Sequence, residues 1–184
     1  SVSASLNHTC GLQIDGNLSC WGGNDNGEST PPSGTFLSVS TSQLYSCGIK
    51  SDGTLECWGF DDLGQETPAG VFQDVSAGFG FVCGVHSSGS VECWGNAALV
   101  ADTPSGAFQS VSAGFGHVCG VTSSGELACW GENDFGQSTP PVGTFQSVSA
   151  GHGHTCGVTT NGGVECWGMN GIGQAAAPPG AFQS

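Results

Sequence analysis

Ten cysteines fall into five pairs of one spacing: Cys10 with Cys20, Cys47 with Cys57, Cys83 with Cys93, Cys119 with Cys129, and Cys156 with Cys166. Gly follows each first member and Trp-Gly each second. Thiols repeated in this way can form disulfides or hold a metal. Residues facing each other across a symmetric antiparallel hairpin have position numbers of constant sum, so a tip centred near Asp15 sets Cys10 opposite Cys20. At a non-hydrogen-bonded site such residues lie about 4.5 to 5.5 Å apart, within reach of a disulfide. The spacing predicts five disulfides, one per hairpin. Zinc modules favour two cysteines separated by about two to four residues, which does not match this spacing, and reduced core cysteines are the remaining alternative. Disulfides imply an oxidising compartment.

The histidines are His8, His86, His117, His152 and His154. His8, His117 and His154 share one slot, two residues before the first cysteine of their unit, and a convergent trio of that kind could bind zinc. Tyr45 and Phe81 fill the slot in the other units, so it is expected to pack or hydrogen-bond within its own unit. His152-x-His154 has only a weak chelating look. The acidic stretches Asn24-Asp-Asn-Gly-Glu28, Asp61-Asp62 and Glu132-Asn-Asp134 lack the spacing of calcium loops and read as solvated turns. Without a Gly-x-Ser-x-Gly elbow, phosphate loop or metalloprotease motif, the chain is expected to be a non-enzyme with no catalytic residue, cofactor or metal. Asn7-His8-Thr9 and Asn17-Leu18-Ser19 are acceptor triplets for N-glycosylation at Asn7 and Asn17.

These residues are carried by a repeat. Units open at Val2, Val39, Val75, Val111 and Val148, a period typical of repeat architectures. Each reads as a strand (Phe145-Gln-Ser-Val-Ser-Ala), a loop, a strand (Thr155-Cys-Gly-Val-Thr), a turn, a strand (Val164-Glu-Cys-Trp-Gly) and a polar loop with Gly-Gln and Pro-Pro. Such a unit cannot bury its faces alone, whereas units stacked around an axis can. The expected fold is all-β: a five-bladed β-propeller of short four-stranded antiparallel blades, in a single domain over 1–184. The segments Phe182-Gln-Ser184 and Ser1-Val2-Ser3-Ala4 look like halves of one strand. Joining them would close the ring, and joining them between molecules would give a head-to-tail assembly. Each tryptophan is expected to pack between blades, since alternation turns it away from its neighbouring cysteine.

The loop after each Val-Ser strand varies and supplies the candidate ligand-binding residues Leu6, Gln43, Phe79, Phe115 and His152. A second variable loop holds Asn26, Leu63, Leu99, Phe135 and Ile172, and in the third unit it becomes the apolar Asn96-Ala-Ala-Leu-Val-Ala, a candidate contact surface.

The string Val148-Ser-Ala-Gly-x-x-His154-Thr-Cys-Gly-Val-Thr-x-x-Gly-x-Val164-x-Cys-Trp-Gly-x-Asn170-x-x-Gly-Gln174 resembles the repeat of the regulator of chromosome condensation family, in its cysteine-containing extracellular and bacterial form. The resemblance covers essentially the whole chain and implies a β-propeller, usually of seven blades. The family's nuclear member exchanges nucleotide on a small GTPase and binds chromatin. This chain has neither a basic tail nor an insertion long enough for an exchange wedge. A secreted β-lactamase inhibitory protein of this fold, which binds a partner protein through a propeller face, is the nearer analogy.

Fifteen acidic residues against Lys50 give a formal charge of −14, which repels nucleic acid and anionic membranes. The longest wholly apolar run outside the strands is far short of the roughly 20 residues that span a bilayer. A start at Ser1 without Met suits a mature secreted protein or a trimmed chain. The expectation is an extracellular binding module whose partner is a glycan or an extracellular protein. Lectin-like, multivalent carbohydrate binding through the repeated loops is the first reading; protein binding or self-association is the second.

Overall fold

A computed structural model of the chain describes residues 1–60, 67–96 and 102–182. Each repeat forms one antiparallel sheet in chain order. The first sheet holds β1 (Val2–Ala4), β2 (His8–Leu12) and β3 (Leu18–Gly22); the second β4 (Phe36–Thr41), β5 (Tyr45–Lys50) and β6 (Leu55–Gly59). The third holds β7 (Phe72–Ala77), β8 (Phe81–His86) and β9 (Val91–Gly95), and the fourth β10 (Phe108–Ala113), β11 (His117–Thr122) and β12 (Leu127–Gly131). In the fifth are β13 (Phe145–Ala150), β14 (His154–Thr159) and β15 (Val164–Gly168).

The expected fourth strand is absent among the described residues, where every sheet has three strands. Its place in the repeat is taken by the polar loop, which spends its hydrogen bonds internally. Asn24 and Asn133 Oδ1 accept from the backbone N–H of Ser29 and Ser138, while Glu28 Oε2 and Gln137 Oε1 accept from those of Asn26 and Phe135. Pro31-Pro32 and Pro140-Pro141 follow, and proline has no N–H to give a ladder. The acidic stretches around Asn24 and Asn133 are thus braced turns. Asp61, Asp62, Leu63 and the apolar run 97–101 lie outside the described residues.

The cysteine register is as the hairpin arithmetic predicts. Cys10 faces Cys20, Cys47 faces Cys57, Cys83 faces Cys93, Cys119 faces Cys129 and Cys156 faces Cys166. All five pairs are disulfides, with Cα–Cα distances of 4.0 to 4.1 Å, at the narrow end of cross-strand spacing. Neither the metal site nor the reduced core cysteines left open by the sequence is found, since no free cysteine remains. In each pair the first cysteine is on the central strand and the second on the strand that ends the sheet: Cys57 on β6, Cys129 on β12 and Cys166 on β15, like Cys20 on β3 and Cys93 on β9. In the second to fifth sheets the glycine after the first cysteine has a packing reason: a Cβ on Gly48 would lie 2.7 Å from Cδ1 of Phe36, whose ring covers that point of β5, and Gly84, Gly120 and Gly157 stand likewise against Phe72, Phe108 and Phe145.

Little of the core lies inside a sheet. Tyr45, Cys47, Ile49 and Leu55 of the second sheet pack with Phe72, Val75, Ala77 and Val82 of the third. Phe81, Cys83 and Val85 of the third pack with Phe108, Val111, Val118 and Trp130 of the fourth. Successive sheets stack in this way along the chain, and among the described residues no packing of that extent joins the fifth to the first.

Hydrogen bonds repeat at each junction. Ser3, Ser40, Ser76 and Ser112 each accept, through Oγ, the backbone N–H of Thr41, Ala77, Ala113 and Ala150 in the next sheet. The histidine slot also reaches across. His8 Nε2 lies 2.7 Å from Ser46 Oγ, and His117 Nε2 2.7 Å from Thr155 Oγ1. This corrects the expectation of bonding within one unit; the three slot histidines sit at separate places along the stack and do not converge. Each hydroxyl gives its hydrogen to a carbonyl of the preceding loop, Ser46 to Glu28 and Thr155 to Gln137. The imidazole Nε2–H is therefore the donor. Where the slot is aromatic the answering residue is apolar: Tyr45 shares a core with Val82, and Phe81 with Val118.

Replacing Cys83 and Cys93 together with serine is expected to lower unfolding free energy by about 2 to 3 kcal/mol in urea titrations; an unchanged midpoint would contradict the disulfide's stabilising role. Burial, with His154 nearby as a smaller cause, lowers the His117 pKa from 6.5 to about 4. Below pH 6.5 the unfolded chain binds the extra proton, so stability present above 6.5 is lost as pH falls toward 4. His117→Phe, matching Phe81 in the same slot, is expected to flatten this part of the profile of melting temperature against pH.

Candidate functional site

The five variable residues come together on one face of the stack. Leu6, Gln43, Phe79, Phe115 and His152 all line a single open funnel of about 470 Å³. They get there because the β1–β2 turn and its four equivalents lie at one end of every sheet, beside the same end of the next. Backbone bonds tie these loops in series: the N–H of Phe79 donates to the Gly114 carbonyl and that of Phe115 to the Gly151 carbonyl, both at 3.2 Å. Ser42 Oγ donates to the Gly78 carbonyl at the junction before them.

The rings follow this spacing. Phe79 and Phe115 stack with centroids 4.4 Å apart and planes 13° from parallel; Phe115 and His152 stack at 4.3 Å and 24°. Three neighbouring repeats thus present one continuous aromatic ladder. Phe79 is 44% exposed and Phe115 38%, so their edges stay open to solvent although their facing surfaces are spent on each other.

Beside the Phe79 end lies a smaller recess of about 160 Å³ lined by Leu44, Tyr45, Phe60 and Phe79. The Tyr45 hydroxyl lies 2.6 Å from the carbonyl oxygens of both Gly78 and Phe81 and shares its one hydrogen between them, and burial holds its pKa above the ordinary range. It remains a neutral donor that fixes the recess wall. The sequence reading missed Leu44, Tyr45 and Phe60. The available signal was the second repeat's Ser42-Gln-Leu-Tyr45, which replaces the glycine-flanked loop of the third to fifth repeats.

Among the described residues no group of three or more His, Cys, Asp or Glu side chains is placed to hold a metal. Elsewhere, Lys50 pairs with Glu56, and His86 Nε2 lies 2.8 Å from Glu92 while its ring lies tilted by 31° against that of Phe72, centroids 4.2 Å apart. Asp74 stands where the other four repeats have serine, and its carboxylate accepts the Val111 N–H at 2.8 Å; burial raises its pKa. Asn7 and Asn17 are exposed, and Asn17 Nδ2 donates to Asp15. Both Trp58 and Trp167 reach the preceding sheet, donating Nε1–H to the carbonyls of Glu28 and Gln137 at 3.0 and 2.8 Å.

Sheets of this kind, stacked in chain order with loops gathered at one end, define an all-β repeat protein of β-propeller type. Comparison with known protein families finds that residues 1–28, 108–137 and 145–174 match the regulator of chromosome condensation (RCC1) repeat. The chain thus carries this repeat in three segments and resembles that family, as its repeat motif implied. Among curated proteins none matches it by sequence. Among solved structures it is similar to the CRINKLY WD40 ectodomain of the Arabidopsis thaliana receptor kinase ACR4, with 30% identity, TM-score 0.79 and coverage of 97% of this chain and 65% of that one. The ectodomain of the Physcomitrella patens receptor kinase CR4 has 26% identity and TM-score 0.79 over 90% of this chain and 51% of that one. Prp20p from Saccharomyces cerevisiae has 16% identity and TM-score 0.77 over 94% and 57%. The chain spans between 51% and 65% of the length of these three structures.

Close approach of the loops is testable at a glycine. A Cβ on Gly114 would collide with the Gly151 carbonyl oxygen and lie 2.8 Å from His117 Cε1, whereas one on Gly171 meets nothing within 4 Å. Gly114→Ala is expected to cost about 1 to 3 kcal/mol and Gly171→Ala less than about 0.5 kcal/mol, measured by denaturant unfolding. Equal effects at the two sites would contradict this packing of the loops.

Proposed function

We propose that this protein is an extracellular, non-enzymatic binding module that recognises a protein partner through the funnel and its aromatic ladder. The observation that carries this reading is the pairing of a continuous ring surface with an adjoining apolar recess. Protein interfaces concentrate their energy where one aromatic or aliphatic anchor fills a desolvated pocket. The recess of about 160 Å³ is close in size to a cavity of roughly 150 Å³ that accepts benzene, and so suits one such side chain. A formal charge of −14 favours a partner rich in Lys and Arg.

An extracellular setting is supported by five disulfides and by the likeness to two receptor-kinase ectodomains. The multivalent lectin reading receives less support from the geometry. Stacking a sugar needs an open ring face in each repeat, but Phe115 has Phe79 on one face and His152 on the other. Repeated slots have merged into one surface, which leaves carbohydrate only the ladder's ends.

Parallel screens of the labelled chain against arrays of extracellular proteins and of glycans test the proposal. The expected result is retention of a basic protein ligand, weakened at least tenfold by Phe79→Ala or Phe115→Ala with the fold intact by circular dichroism. Retention of glycans alone, or protein binding indifferent to both substitutions, would overturn it.

A further inference from the structure

The aromatic ladder lacks one rung. The slot that holds Phe79, Phe115 and His152 in three successive repeats holds Gln43 in the repeat before them. Rings in adjacent repeats stand 4.3 to 4.4 Å apart, with planes 13° to 24° from parallel. Phe79 meets Phe115 through one face, so its other face is turned toward the second repeat. That is where the recess of about 160 Å³ lies, lined by Phe79 itself together with Gln43, Leu44, Tyr45 and Phe60. Phe79 and Gln43 line both the recess and the funnel, which makes the two continuous.

The gap follows from hydrogen bonding in the second repeat. In the third and fourth repeats the slot residue gives its own N–H to the next loop, Phe79 to the Gly114 carbonyl and Phe115 to the Gly151 carbonyl. The equivalent carbonyl for Gln43 is that of Gly78, and side chains take it instead: Ser42 Oγ and the Tyr45 hydroxyl both point their hydrogen at it. Leu44 and Tyr45 stand where the third repeat has Gly80 and Phe81. Tyr45 is 3% exposed, and with its hydroxyl spent on backbone carbonyls it turns only carbon toward the recess.

We infer that the recess receives the phenyl ring of a Phe or Tyr side chain of the partner protein, inserted as the missing rung against the open face of Phe79. The inference rests on the reading of the funnel as a protein-binding site and names the side chain that anchors it. Register selects a ring over an aliphatic group: one sheet spacing beyond Phe79 an incoming ring stands as the other rungs do, and stacking adds to what burial alone gives. Volume selects a single six-membered ring, since a cavity of roughly 150 Å³ accepts benzene. Charge specifies what flanks it. A Cβ on Gly116, next to Phe115, would lie 2.3 Å from Cδ of Glu132, so the Glu132 carboxylate is held against the loop of the middle rung. Glu132 is exposed and is in no ion pair among the described residues. A Lys or Arg beside the partner's ring meets that carboxylate when the ring enters.

Nuclear magnetic resonance titration of the whole chain with three capped dipeptides tests the subsite: acetyl-Phe-Lys amide, its counterpart with cyclohexylalanine, which keeps the size of the side chain and removes its π system, and acetyl-Phe-Glu amide. Saturable shifts of the Leu44, Phe60 and Phe79 amide signals are expected with Phe-Lys, at an affinity about threefold or more above that of the cyclohexyl peptide. The affinity is expected to exceed that of Phe-Glu by about twofold or more, a difference that fades in high salt. Phe79→Leu keeps an apolar wall and removes the rung, so it is expected to bring the phenyl and cyclohexyl peptides to equal affinity with the circular dichroism spectrum unchanged. Equal affinity for the two in the unsubstituted chain, a preference that survives Phe79→Leu, or shifts confined to residues away from the recess would overturn the inference. The two readings fail separately. Phenyl-selective titration by a chain that retains no protein on the arrays would sink the partner reading and keep the subsite, whereas capture of a basic protein by a chain blind to the ring would sink the subsite alone.

Discussion

Val82 has no exposed surface, and the side chains packed with it include Tyr45 and Ile49 of the sheet before its own. The same holds at the next step, where Val118 packs with Phe81 and Val85. A three-stranded sheet of this size has too little apolar surface to offset the conformational entropy of ordering it. Its disulfide fixes the hairpin covalently but adds no second layer. Burial has to come from the adjacent repeat, and the molecule is organised to place each sheet at one distance and register from the next. The Ser Oγ to backbone N–H bonds set that register. The slot residue and the tryptophan then distinguish the face a sheet turns forward from the one it turns back.

The candidate site is a consequence of this stacking. Loops held about one sheet spacing apart put successive side chains within ring-stacking distance, so Phe79, Phe115 and His152 form a ladder through their positions in the repeat. The second repeat departs from the pattern. With Leu44 and Tyr45 in place of a glycine-flanked loop, it opens the recess beside Phe79, and the ladder gains an asymmetric end. Regular repeats supply the scaffold here, and one irregular repeat supplies the feature that can discriminate a ligand.

Much of this was legible in the sequence. The ten-residue spacing from Cys47 to Cys57, Cys119 to Cys129 and Cys156 to Cys166, as in the other two repeats, located the disulfides because hairpin pairing is local arithmetic. The shared slot of Leu6, Gln43, Phe79, Phe115 and His152 placed those residues on one face because equivalent positions in a stack are neighbours. The expected fourth strand is not found among the described residues, where the Asn, Gly and Pro of the polar loop hydrogen-bond locally more readily than they join a ladder. The partner of the histidine slot was also misplaced. It lies 38 residues away in the next repeat, outside the reach of any pattern within one unit. Alternation of His with Ser or Thr, and of Tyr or Phe with Val, between successive repeats was the available clue, and it shows only when repeats are read in adjacent pairs.

Matched pairs across junctions are what stabilise the sheets, and a double-mutant cycle at an internal junction measures this directly, using His117→Phe, Thr155→Val and the two combined. Each single change is expected to destabilise the protein, and the combination to recover most of the loss, with a coupling free energy of about 1 to 3 kcal/mol. Additive losses, with no recovery in the combined variant, would contradict the matching of pairs.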